Sequence, residues 1–335
     1  MLNIISKSYS DKKVRGPKKV VENLIKGLDI LGYPYVINKS LDSCRRLWIH
    51  DDNRALRFVS KLKHAKVIAG PNISFKKKYE NIILLQPSVW SRDFCVTYRY
   101  NDGPVDVWAA GIDTTYFSPS EINETKEYVL IYYKKRSKQA LYAVIHTLEK
   151  KHLSYKLIVY GEYQEKDYLY VVQKAKYVIW VGCAESQGIA LQETLACNVP
   201  ILVWDVEKLG DWQPKNKSEE NFFSEKERKY TKATSAPYFS QRCGIVFISE
   251  KKLNSAIETM EQKYNTFHPR SYVVKNLSLE VQAYAFLTLY EKHYSMSIES
   301  GFSEKLFDNK NWITNHVIDK GLVSIEKMLM YLRRE

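Results

Sequence analysis

Residues Trp180–Asp205 read WVGCAESQGIALQETLACNVPILVWD. The apolar run that ends near Val181-Gly182 reads as a strand, the stretch from Gly188 onward as a helix, and PILVWD as a second strand. A strand, a helix and a strand joined by short links make a βαβ unit, whose two strands run parallel. Glu185 stands just before the helix and Glu193 five residues past Gly188, about 7.5 Å along the axis. Spacing alone decides little, because two Glu with seven residues between them arise by chance roughly once or twice in such a chain. The plain account is a capping Glu and a solvated Glu. Context favours a second account. Gly188 permits close backbone approach by a ligand, and the unpaired amides at Gly188 and Ile189 form a site for an anion. One carboxylate before the helix and one along it suit a diphosphate with hydroxyl groups on either side.

Working outward, the same grammar recurs on both sides. LNII (2–5) reads as a buried strand, and the helix after it places Val20, Val21, Leu24, Ile25, Leu28 and Leu31 at helical spacing, ended by Gly32. Strands are expected in YPYVIN, RRLWIHDD, AKVIAGPN, NIILLQPSVW and VDVWAAGID, with a helix in NRALRFVSKL. His50-Asp51-Asp52 suggests a metal cluster, but an Asp pair after a strand is as often a helix cap. After Pro119 the composition turns polar and a second series begins: YVLIYY, a helix over QALYAVIHTLEKK, YKLIVYG, a short helix in KDYLYVVQKA, KYVIWVG and the opening stretch. The polar segment 206–240 is expected to be loop, CGIVFIS a last short strand, and 251–265 and 276–297 helices. Short apolar strands ending in polar or Gly/Pro loops predict parallel sheets covered on both faces. Ligands of such sheets sit beyond the carboxyl ends of the strands. The expected fold class is α/β, with two Rossmann-like halves, a cleft between them and a helical C-terminus. The expected boundaries are 1–120, 121–275 and 276–335.

Composition bounds the function. Hydrophobic residues make up 45% of the 335, enough for two cores, and no apolar run approaches the roughly 20 residues that span a membrane. The N-terminus shows no apolar signal core, and five scattered cysteines without a CxxC fit a reducing cytoplasm. A net charge of +13 attracts anions of any kind. Neither a recognition helix nor an aromatic platform motif is visible, which argues against nucleic acid as the partner.

ESQGIALQETLACNVPILVWD resembles the Glu-x7-Glu signature of retaining GT-B glycosyltransferases, close to glycosyltransferase family 4. Glu185, Gly188, Ile189, Glu193 and Pro200 match the pattern. Gln187 departs where an aromatic is common, and Asn198 where Gly is common. The resemblance extends over residues 1 to about 295. GPKKVVENLIKGLDILG is similar to the family's first loop and helix, giving Gly16, and VWAAGIDTTYFSP to the segment closing the N-terminal domain. YYKKRSK stands where the family carries its diphosphate-neutralising cations, so Lys134, Arg136 and Lys138 are candidates, unranked. IVYGEYQ resembles the loop beside the nucleobase, giving Gly161, and CGIVFIS a late strand of the C-terminal domain.

The resemblance implies a retaining transferase that moves a sugar from a nucleotide-diphosphate sugar to a glycan or lipid-linked acceptor. It implies GT-B architecture, a C-terminus crossing back to the N-terminal domain, no metal and no further cofactor. Glu185 would hold a hydroxyl of the donor sugar and Glu193 the ribose. In the implied fold the basic first loop, with Lys12, Lys13, Lys18 and Lys19, has two readings: a solvated face, or a loop that meets an anionic acceptor such as a charged glycan or a lipid-linked phosphate at a membrane surface. Two other classes stand beside this reading: a nucleotide-sugar epimerase of the same architecture, and a non-catalytic binder of polyanions.

Overall fold

The computed structural model describes residues 1–11, 16–59, 61–62, 64–71, 73, 81–100, 102–120, 126–214 and 220–298. Lys12 and Lys13 of the basic first loop, and residues 299–335 of the C-terminus expected to cross back, lie outside the described residues. The described residues divide into two compact units: those within 1–87, 95–111 and 275–298, and those within 88–94 and 112–274. The division thus falls at 111/112, where 120 was expected, and the described residues 275–298 group with the first unit.

The first unit is built on six strands: β1 (Leu2–Ile5), β2 (Tyr35–Ile37), β3 (Arg46–Ile49), β4 (Lys66–Ala69), β5 (Ile82–Gln86) and β6 (Val105–Val107). They lie in the order β2-β1-β3-β4-β5-β6, every pair parallel. Helix α1 (Gly16–Leu31) follows β1 and α2 (Asn53–Val59) follows β3. Asp52 caps α2, accepting from the amides of Arg54 and Ala55 at 2.8 and 3.0 Å. That is the cap expected of this acidic pair. A helix that was not expected, α3 (Val89–Thr97), follows β5, and its residues as far as Phe94 group with the second unit. One side of the sheet buries Leu47, Ile49, Leu56, Val67 and Leu84 in a common cluster.

The second unit carries β7 (Tyr128–Lys134), β8 (Tyr155–Val159), β9 (Ala175–Gly182), β10 (Ile201–Trp204) and β11 (Gly244–Phe247), in the order β11-β10-β9-β7-β8, again wholly parallel. Between them run α4 (Lys138–Lys150), α5 (Glu165–Gln173), α6 (Ile189–Ala196) and the short α7 (Glu225–Arg228), and α8 (Leu253–Lys263) follows β11. Val144, Leu148, Ile179, Leu202, Ile257 and Met260 fill its core. The segment 206–240 was expected to be loop with few apolar anchors. Its described parts are anchored instead by aromatic edges: Phe94 meets Phe223 and Tyr230, and Trp212 meets Phe222 and Phe223.

Two helices end the described chain, α9 (Pro269–Leu277) and α10 (Leu279–Tyr294). The second packs within the first unit. Phe286 lies edge-on to Trp48 and Trp108, and Tyr290 and Tyr294 donate their hydroxyls to the carbonyls of Leu47 and Val67. Close approach to α1 depends on Gly27, where an added Cβ would stand 2.5 Å from the Leu279 carbonyl oxygen and 2.7 Å from the Ala283 Cβ. Among the described residues no helix is long and apolar enough to cross a membrane. Replacing Gly27 by Val forces these helices apart and should cost about 2 kcal/mol, the scale of overpacking, read as a lower urea midpoint. A midpoint equal to the wild type would show that α1 and α10 have slack at this crossing.

Candidate functional site

Strand order puts the site where chain direction reverses. From β7 the chain steps outward to β8, then returns to the other side of β7 as β9. Loops leaving the carboxyl ends of β7 and β9 therefore diverge and leave a crevice between them. Lys134, the last residue of β7, pairs in register with Gly182, the last of β9. Gly182 has to be small, because an added Cβ would stand 2.7 Å from Nε1 of Trp180. Trp180 is itself fixed by stacking on Tyr132 at 3.9 Å. Three residues on, Glu185 turns back to Lys134. The ammonium lies 2.7 Å from Oε1 and donates a hydrogen bond to Oε2 at 2.8 Å.

This ion pair is mostly out of water, with side-chain exposures of 18% for Lys134 and 10% for Glu185. Burial works against the lysine charge, the Glu185 carboxylate more than offsets it, and the pKa is raised above the ordinary lysine value. Tyr160, past the end of β8, presents its ring 4.2 Å from the same ammonium. Burial and then Glu185 push the Cys183 thiol up to about 11, so it is a neutral thiol and no nucleophile.

The other expected residues are placed as follows. Gly188 is the N-cap of α6 in the left-handed region, φ 79°, with no side-chain cap. The first-turn amides from Ile189 onward thus have neither a carbonyl one turn back nor a capping side chain. Gln187, the first departure from the family pattern, donates its amide to Gln192 Oε1 at 3.0 Å, and Gln192 donates back to the Gln187 carbonyl at 3.0 Å. That buried exchange fixes the turn before the helix. Asn198, the second departure, adopts φ 57°, which Asn tolerates better than most residues other than Gly. Glu193 is buried at 4% exposure, on the side of α6 toward Tyr163 and Tyr168 and not on a solvated face. Gly161 has φ 87° and nothing within 4 Å of where a Cβ would stand, so the loop after β8 is open there.

The three candidate cations separate clearly. Lys134 faces Glu185. Arg136 is buried and spends its guanidinium on the carbonyls of Gly182 at 3.2 Å and Asp205 at 3.0 Å. Lys138 is exposed at the first turn of α4. Gly16 belongs to the first unit, exposed at the start of α1. Of the basic residues around it, Lys7 pairs with Asp52 at 3.1 Å and Lys18 with Glu22 at 3.7 Å. Sequence reasoning did not single out Tyr160, Trp90 or Asp205. Trp90 donates its indole N–H to the Glu185 carbonyl at 2.8 Å. Asp205 was visible only as a carboxylate directly after a buried strand. Among the described residues no group of three or more His, Cys, Asp or Glu is placed to hold a metal ion.

Fold comparison places the chain. It aligns with a sucrose-phosphate synthase from Thermosynechococcus elongatus at TM-score 0.59 and 9% identity, over 88% of this chain and 99% of that one. AviGT4, a glycosyltransferase involved in avilamycin A biosynthesis, aligns at 0.50 and 11% identity, over 88% and 98%. The lipopolysaccharide outer core galactosyltransferase WaaB, in its apo form, aligns at 0.50 and 12%, over 87% and 99%. The chain therefore has the two-unit α/β fold of GT-B glycosyltransferases. No protein-family model matches the sequence, and no curated protein matches it.

Lys134→Met leaves a carboxylate buried without its counter-ion and should cost about 3 kcal/mol, most of it recovered by adding Glu185→Gln. Because the folded lysine pKa is raised, the pair's contribution is complete below the ordinary value near 10.4 and is lost as pH rises through the folded value. Stability in urea should therefore fall at strongly alkaline pH in the wild type, and less in the double variant. A Lys134→Met protein as stable as the wild type would mean that Glu185 reaches water.

Proposed function

We propose that this chain is a retaining, metal-independent glycosyltransferase acting on a nucleotide-diphosphate sugar. The observation that carries the proposal is the Lys134–Glu185 pair beside the uncapped start of α6, at the reversal point of a parallel sheet. An anion-binding helix start, a cation and a fixed carboxylate are the groups needed to hold a diphosphate next to a sugar. Sugar transfer by proteins of the same fold, named above, supports the reaction class.

Breaking the anomeric bond leaves negative charge on the diphosphate. Fixed amides at Gly188 and Ile189 and the ammonium of Lys134, with Lys138 at the rim, stabilise that charge as it grows. Lys134 can serve both partners because an ammonium carries three donors and spends one on Glu185. Glu185 accepts from a hydroxyl of the donor sugar and needs no nucleophilic role. Glu193 serves the ribose, and Gly161 leaves space for the base. The departing phosphate takes the acceptor proton on the same face, which gives retention. A glycan or lipid-linked acceptor is proposed for a protein acting in the cytoplasm. The net charge of +13 favours an anionic acceptor or peripheral contact with an anionic membrane.

A thermal-shift screen with UDP, GDP and ADP sugars should identify one donor, since a ligand at 100 times its dissociation constant adds about 2.7 kcal/mol. With that donor and its acceptor, transfer should persist in excess EDTA and fall on the order of 100-fold in Glu185→Ala. Full activity in Glu185→Ala, or EDTA inhibition reversed by Mn²⁺, would contradict the proposal. Conversion of the donor to its epimer without an acceptor would do so as well.

A further inference from the structure

Glu185 stands beyond the last ladder pairing of β9, so sheet hydrogen bonds do not hold it. Its peptide is gripped at two atoms. Trp90 donates to its carbonyl, and its own amide donates to the carbonyl of Thr234 at 2.9 Å. Thr234 lies in an irregular segment between α7 and β11, and its position has to come from elsewhere. It comes from Asp205, the first residue past β10. Oδ2 of Asp205 accepts from the Thr234 hydroxyl at 2.8 Å. Oδ1 accepts from the Ser235 amide at 2.6 Å, the Ser235 hydroxyl at 2.7 Å and the Val206 amide at 2.8 Å. Ser235 is wholly buried. Four hydrogen bonds to one carboxylate are charge-assisted and stronger than neutral ones.

The backbone of Asp205 is anchored as well. Its carbonyl accepts from Arg136, which also reaches the Gly182 carbonyl, so one guanidinium ties the ends of β10 and β9 together. The Thr234–Ser235 turn, the strand ends and the Glu185 peptide form one connected network inside the second unit.

We propose that Asp205 is the positioning residue of this site: by holding the Thr234–Ser235 turn, braced by Arg136, it fixes where the Glu185 carboxylate stands. The inference deepens the glycosyltransferase reading and rests on it for the catalytic consequence only. It also sorts the cations. Arg136 serves the strand ends, which leaves Lys134 and Lys138 for the diphosphate.

The test compares Asp205→Ala, Asp205→Asn and Ser235→Ala in the full chain. An amide at 205 keeps the three bonds at Oδ1 and can reverse the fourth by donating to the Thr234 hydroxyl, so Asn should rescue what Ala loses. Hydrogen exchange over 183–187 is followed by mass spectrometry, alongside binding of the nucleoside diphosphate found in the screen and the kcat of transfer. In Asp205→Ala the Glu185 amide should exchange roughly tenfold faster or more, as expected on losing hydrogen bonds to a charged acceptor, while β9 amides stay protected. Its kcat should fall about 100-fold, the scale of an ångström's misplacement, with nucleoside diphosphate affinity unchanged. Ser235→Ala should lie between the two and carries the test if Asp205→Ala does not fold. Unchanged exchange at Glu185 in the folded variants overturns the proposal, and so does an Asn variant as impaired as Ala. Should the wild type transfer no sugar, the functional reading fails while the exchange result still decides the role of Asp205.

Discussion

Everything at the candidate site depends on β7 and β9 lying side by side and parallel, with Lys134 opposite Gly182. Parallel pairing brings both carboxyl ends to one edge, although 48 residues separate these two positions in sequence. Had the register slipped by one residue, Lys134 would face the other side of the sheet and Glu185 would be buried without a counter-ion. The packing on that side of the strands guards the register. Tyr132 stacks flat on Trp180, and the Tyr132 hydroxyl meets that of Tyr163 at 3.0 Å. Core packing two residues back thus sets the placement of a charged pair.

Buried ion pairs are a poor source of stability, because desolvation offsets most of the attraction. A chain selected only for stability would do as well with two apolar residues at 134 and 185. The pair makes sense as a preformed site, in which the carboxylate and the ammonium are already dehydrated and oriented before a ligand arrives. The surroundings fit that account. Gly188 adopts a left-handed backbone, the Gln187–Gln192 exchange locks the turn, and the Cys183 thiol stays neutral. Each of these features fixes geometry at the α6 start without adding a competing charge.

Much of this was legible in the sequence because the signals are local. Short apolar strands, Gly32 at a helix end and Gly188 at a helix start each depend on a few neighbouring residues. Helix α3 was missed because Val89 and Trp90 follow IILLQ closely and extend its apolar run, while the helix buries only Ser91 and Phe94. Helix α9 begins with Pro269, a permitted first helical residue, which was not read as a start. The cations could not be ranked because a basic loop does not say which side chain turns inward; the hydrogen bonds of Arg136 to two strand ends do. Asp205 and Ser235 are 30 residues apart and meet only through the fold. The sequence pointed to Glu185, but what holds Glu185 in place is tertiary.

The central claim is that the start of α6, beside Lys134 and Glu185, binds the diphosphate of a nucleotide sugar. Calorimetric titration of UDP, GDP and ADP into the wild type and into Gly188→Val tests it most directly. Valine in a left-handed conformation carries strain of about 1–3 kcal/mol and displaces the first-turn amides, while the rest of the unit keeps its core. The account predicts that one nucleotide binds the wild type and that Gly188→Val, folded by circular dichroism, binds it roughly tenfold or more weakly, as that strain implies. Equal affinity in the two proteins, or no binding of any nucleotide to the wild type, would contradict it.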